Sequence, residues 1–174
     1  MRKILFFQWN AFMQKGIERA FTYLGMEYDT FYYIFKDWDK DDDFKEKFKK
    51  RLQSGKEEYE YVFSVNFSPL ISEVCNDLQV KYVSWIYDCP LHIRNKEPMK
   101  YSCNTIFFFD RIEAENYRNK GVNAYHLPLA GDTVAFTEKY KYVDMNMMHN
   151  EEKGIYTGFT ETDMCDVSLV GKLY

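Results

Sequence analysis

The sequence predicts an α/β fold: a doubly wound, mostly parallel sheet of six strands with helices on both faces. Two observations carry this. Six apolar runs of strand length recur between Lys3 and Leu127, each followed by helix-like sequence or a long connection. The helix-like segments repeat apolar residues at helical spacing and begin or end on residues that suit a cap.

The first strand is read as Lys3–Trp9. Ile17, Ala20, Phe21 and Leu24 then fall on one helical face, with Gly25 where a C-cap belongs. Tyr28–Phe35, rich in aromatic residues, is the second strand. The acidic stretch Asp37 to Asp43 follows it, and Phe44, Phe48 and Leu52 mark a helix ending before Gly55. Its carboxylates precede its lysines, the order that suits a helix dipole. Tyr61–Phe67 is the third strand, and Ser68-Pro69 supplies an N-cap and a first-turn proline for a helix striped by Leu70, Ile71, Val74, Cys75 and Leu78. Lys81–Tyr87 and Asn104–Phe109 are the fourth and fifth strands. The link between them, Asp88–Cys103, is long enough to be functional or to hide a short helix. Asp110 and Glu113 have the spacing of a capping box opening a helix that ends by Gly121, and Val122–Leu127 is the sixth strand.

Composition narrows the function. A formal charge of −4 argues against a nucleic-acid binder. No run approaches the roughly 18 apolar residues of a membrane span. The 15 Tyr and 15 Phe are read as core filling along strands and helix faces. Cys75, Cys89, Cys103 and Cys165 show no paired CxxC spacing and, without a secretion signal, read as reduced thiols of a cytoplasmic protein. Cys89, His92, Cys103 and His126 offer only one tight ligand pair, so no metal is assigned. The turn after the first strand lacks GxGxxG and GxxxxGK[ST], leaving no glycine cradle for a pyrophosphate; no cofactor is expected on these residues.

Parallel sheets bind ligands beyond the carboxyl ends of their strands. Those ends carry Trp9, Asn10, Asn66, Ser68, Asp88, Asp110, Arg111 and His126. Asp88 stands out because Ser84-Trp85-Ile86-Tyr87 is apolar enough to bury its surroundings, and a buried carboxylate is paired or functional. Ser68 and Asp110 are read as helix caps first, Asn10 as a possible cap of the first helix, and Asn66 as a tie on its turn. Asp37-Trp38-Asp39 has the DxD form of metal-dependent sugar transferases but sits in an acidic helix start, where a solvated cap explains it better.

Phe63-Ser-Val-Asn-Phe-Ser-Pro69 with Ile71-Ser-Glu-Val-Cys75, then Tyr82-Val-Ser-Trp-Ile-Tyr-Asp-Cys-Pro90, resembles the N-terminal domain of bacterial glycosyltransferases related to spore-maturation glycosyltransferase-like proteins. Phe109-Asp110-Arg111, His126-Leu-Pro-Leu-Ala130 and Asp166-Val-Ser-Leu-Val-Gly171 follow in the same order. The Trp-x-Tyr-Asp-x-Pro block is the most specific piece, and the stretch Tyr142–Cys165 is longer and more polar than the family pattern. The resemblance implies a GT-B architecture of two Rossmann-like domains facing a cleft. The first domain binds an acceptor glycan or small molecule; the second, C-terminal glycosyltransferase domain binds the nucleotide-sugar donor. On this reading residues 1–130 are the acceptor-side domain, 131–165 a linker, and 166–174 the first strand of the second domain, so the fragment alone is inactive. Asp88 and His126 are the candidate catalytic residues. Trp9, Asn10, Asn66, Ser68, Trp85, His92, Asp110 and Arg111 are the candidate acceptor contacts. Two alternatives stay open: a non-catalytic binding module for a glycan, effector or protein, and a small hydrolase using Asp88, Asp110 and His126.

Overall fold

The computed structural model describes residues 2–55 and 58–131; the expected linker and final strand lie outside the described residues. The strands are β1 (Lys3–Gln8), β2 (Tyr28–Tyr32), β3 (Tyr59–Val65), β4 (Lys81–Ile86), β5 (Asn104–Phe108) and β6 (Ala124–His126). Between them run α1 (Gln14–Tyr23), α2 (Asp42–Ser54), α3 (Pro69–Leu78) and α4 (Arg111–Arg118). The long β4–β5 link does hide a short element, the 3-10 turn Glu97–Lys100.

All six strands pair in parallel, in the order β2-β1-β3-β4-β5-β6. The expected Rossmann-like α/β sheet is therefore present. Its order reverses once: the chain steps outward from β1 to β2, then crosses back to β3 on the other side of β1. Right-handed crossovers require the helix of the outward step to lie on the opposite face from all later ones. The core divides accordingly. Ile17 and Phe21 of α1 pack with Ile4, Phe6 and Val65. Phe44, Phe48 and Leu52 of α2, the α3 stripe, and Ala114 and Tyr117 of α4 pack with Leu5, Phe7, Val62, Tyr82, Ile106 and Phe108.

Several strands stop earlier than the sequence suggests. β2 ends at Tyr32, not Phe35, because its partner β1 ends at Gln8, the residue in register with Tyr32. β3 ends at Val65, not Phe67, because Asn66 adopts a left-handed conformation (φ 59°) that turns the chain out of the ladder. The caps on α3 and α4 are as read: Ser68 accepts from the Ile71 N–H and Asp110 from the Glu113 N–H at 2.7 Å. Asn10 does not cap α1, whose N-cap position is Met13, with no side-chain cap. Asp37 and Asp39 are not part of the α2 start either, since the N-cap there is Asp41.

Candidate ligand-binding site at the sheet reversal

In a parallel sheet that reverses between β1 and β3, the carboxyl ends of those two strands diverge and leave a crevice. Trp9 and Asn10 follow β1, and Asn66 follows β3. Both asparagines have positive φ, 70° for Asn10 and 59° for Asn66, the region that asparagine tolerates better than other side chains. Two such residues flanking one crevice fit the tendency of backbone strain to collect at functional sites.

Asn66 is held on every polar atom. Its N–H donates to the Trp85 carbonyl (2.9 Å), and its carbonyl accepts from the Ser64 hydroxyl (2.6 Å). Its side-chain oxygen accepts the Tyr87 N–H (2.8 Å) and its amide nitrogen donates to Asp88 Oδ2 (2.6 Å). A flipped amide would set oxygen against carboxylate and NH2 against N–H, so these partners fix its orientation. Beneath it, the Ser64 proton is committed to the Asn66 carbonyl. The buried Tyr82 hydroxyl therefore donates to Ser64 (2.7 Å) while accepting from the Ser68 N–H (3.0 Å). Burial pushes the Tyr82 phenol well up, so it stays a donor at any ordinary pH.

Asp88 is exposed, contrary to the buried setting its apolar strand suggests. β4 ends at Ile86, the next N–H, that of Tyr87, being taken by the Asn66 side chain instead of a ladder partner; Tyr87 still packs half-buried against the α1-side cluster, and Asp88 follows beyond the sheet. The result is a carboxylate anchored through one oxygen at the strand end and open to solvent. Trp9 completes the row: its indole N–H donates to the Val65 carbonyl (2.9 Å), joining β1 to β3, and its ring packs against both core clusters.

The other candidate residues separate from this group. Ser68 is fully buried, its hydroxyl spent on the α3 cap. Trp85 lies on the α1 side of the sheet, by register with Val65 and Phe107, and donates to the Leu127 carbonyl at 3.1 Å. Asp110 caps α4 beside exposed Arg111, and half-buried His126 ends the outer strand β6. His92 is exposed in the β4–β5 link. Cys89 stands near the α4 start; desolvation, then the charges of Glu113 and Asp110, push its thiol up and disfavour the thiolate. No group of three or more His, Cys, Asp or Glu among the described residues is arranged to hold a metal ion.

Two residues that sequence reading did not single out join the site. Arg94, in the β4–β5 link, donates to both oxygens of Asp37 (2.5 and 2.6 Å) and to Asp39 (3.1 Å). Between those aspartates Trp38 meets the Trp9 ring edge-on, 4.8 Å between centroids, and Phe35 at 4.7 Å. The DxD segment is thus an arginine clamp. Its charges were visible in the sequence, but a pairing across more than fifty residues was not.

A surface hollow of about 390 Å³ between α2 and α3 is lined by Lys45, Glu73, Asp77 and Tyr101, with Lys45 paired to Glu73.

No family model matches the chain, and neither curated proteins nor solved structures gave a significant match. No helix among the described residues is long and apolar enough to cross a membrane.

Proposed function

We propose that this chain is the acceptor-side part of a bacterial, cytoplasmic glycosyltransferase, with the β1/β3/β4 crevice as its acceptor site. The observation that carries the reading is the Asn66–Asp88 pair: an exposed carboxylate fixed at the end of the sheet, with Oδ1 unpartnered among the described residues. Sugar transfer requires an acceptor hydroxyl held and made nucleophilic, work a positioned carboxylate does. In an inverting reaction Asp88 accepts the hydroxyl proton through Oδ1; in a retaining one it anchors that hydroxyl. His126, two strands away in the sheet, is the weaker candidate for this task.

Donor binding is assigned to a separate C-terminal domain. The turn from β1 into α1 offers no glycine cradle for a pyrophosphate, and the N-termini of α2, α3 and α4 carry capping oxygens from the chain itself, Asp41, Ser68 and Asp110, where a phosphate would otherwise dock. The test is release of nucleoside diphosphate from a set of nucleotide-sugars by the native polypeptide. Acceptor-dependent release supports the transferase. Glycan binding with no release from any donor would leave a non-catalytic module in its place.

A further inference from the structure

We propose that Trp38 and Trp9 form a stacking platform for a neutral sugar ring, and that Arg94 is the residue that positions it. This deepens the acceptor-site reading by naming its ligand class: an uncharged, hydroxyl-rich ring with an apolar C–H face.

Asp37 and Asp39 follow β2 and Arg94 follows β4, while β1 and β3 lie between those strands. The clamp joins the segments that leave β2 and β4, the strands on either side of β1 and β3, and so links one side of the sheet reversal to the other. The clamp is reinforced by backbone, since the Asn95 N–H also donates to Asp39 at 2.9 Å.

The clamped segment carries one ring of an aromatic pair. Trp38 packs edge to face on Trp9, at 88° between planes, and both rings are half-buried, so the pair presents an apolar corner at its exposed part. From that corner a continuous row leads to the carboxylate: Trp9 to the Val65 carbonyl, Asn66 next in sequence, and Asn66 to Asp88. An apolar corner ending in a hydroxyl acceptor matches the two-sided chemistry of a pyranose, one face C–H and its rim hydroxyl.

Arg94 spends its guanidinium on Asp37 and Asp39, and Asp88 leaves the row acidic. A phosphorylated or carboxylated ligand meets repulsion here; a neutral glycan does not.

The chain has three tryptophans, so an amide-correlation NMR spectrum gives three indole signals to follow. The protein is titrated with cellotetraose, maltotetraose, mannotetraose and chitotetraose to ~10 mM, a range that covers weak glycan affinities, and with UDP-glucose in parallel. The expected result is movement of the Trp9 and Trp38 indoles by a neutral oligosaccharide, Trp85 unmoved, and no response to UDP-glucose. Trp38→Ala should weaken binding at least ~10-fold, as loss of an aromatic anchor does. Arg94→Met, an exposed change that spares folding, should weaken it similarly, and Arg94→Lys should restore part of it. Overturning results are indoles unmoved by all four oligosaccharides, movement of Trp85 alone, or binding indifferent to Arg94→Met. Binding without transfer removes the transferase and keeps the platform, whereas transfer indifferent to Trp38 and Arg94 does the reverse.

Discussion

The Asn66 side chain joins the exits of β3 and β4: its amide nitrogen lies 2.6 Å from Asp88 Oδ2 while its oxygen accepts the Tyr87 N–H at 2.8 Å. One buried, left-handed residue therefore sets where the candidate carboxylate points.

Replacing Asn66 separates its two tasks. Asn66→Gly keeps the backbone conformation, loses the side-chain bonds and adds glycine's conformational freedom to the unfolded chain. Asn66→Ala loses them and forces a Cβ into the left-handed region, an added cost of about 1 kcal/mol. Urea midpoints should rank wild type above Gly and Gly above Ala. Equal midpoints for the two variants would mean that the strain of a Cβ at this φ does not exceed the folding entropy that glycine costs.

Asp41 links the segment after β2 to α2. It accepts from the Phe44 N–H and the Lys36 N–H, both at 3.0 Å, and from the Tyr33 hydroxyl. Asp41→Ala should cost about 2 kcal/mol, the scale of a lost cap plus an orphaned N–H, read from thermal or urea unfolding.

Acid should act through the same region. For Asp41, desolvation pushes the carboxyl up but is outweighed by the Lys36 and Phe44 N–H bonds, and the net shift is downward. The Asp39 N–H and then Arg94 lower Asp37, and Lys47 and then Tyr33 lower Asp43. A carboxyl depressed in the folded state contributes stability above its ordinary value of about 4, lost as pH falls through the folded value. Unfolding midpoints should fall below pH ~4, and less so in Asp41→Asn measured against its own neutral-pH midpoint.

The alkaline side has the opposite sign. Burial is the leading cause that pushes Tyr33, Tyr59 and Tyr87 up to about 12. A phenol that keeps its proton when folded and loses it when unfolded removes stability as pH rises above its ordinary value of about 10. Absorbance at the phenolate band should lag free tyrosine, and stability should decline between about pH 10 and 12.

Much of this architecture was legible because each helix carries its own signal. Ser68-Pro69 and the Asp110–Glu113 spacing mark helix starts that the structure keeps. The alternation they reveal leaves a parallel sheet as the natural solution. Strand ends were less legible, since β2 stops where β1 stops pairing and β3 stops at a left-handed asparagine, neither of which is a local property. The site was half visible. Trp9, Asn66 and Asp88 follow from reading strand ends, but the exposure of Asp88 and the Arg94 clamp depend on contacts between distant segments.

The central claim rests on Asp88, and the most direct measurement is the sugar-transfer rate of Asp88→Asn in the native polypeptide. This substitution keeps the size of the side chain and removes the base. In an inverting reaction, turnover should fall at least ~10²-fold with folding intact. A rate close to wild type would contradict the account and take Asp88 out of the chemistry.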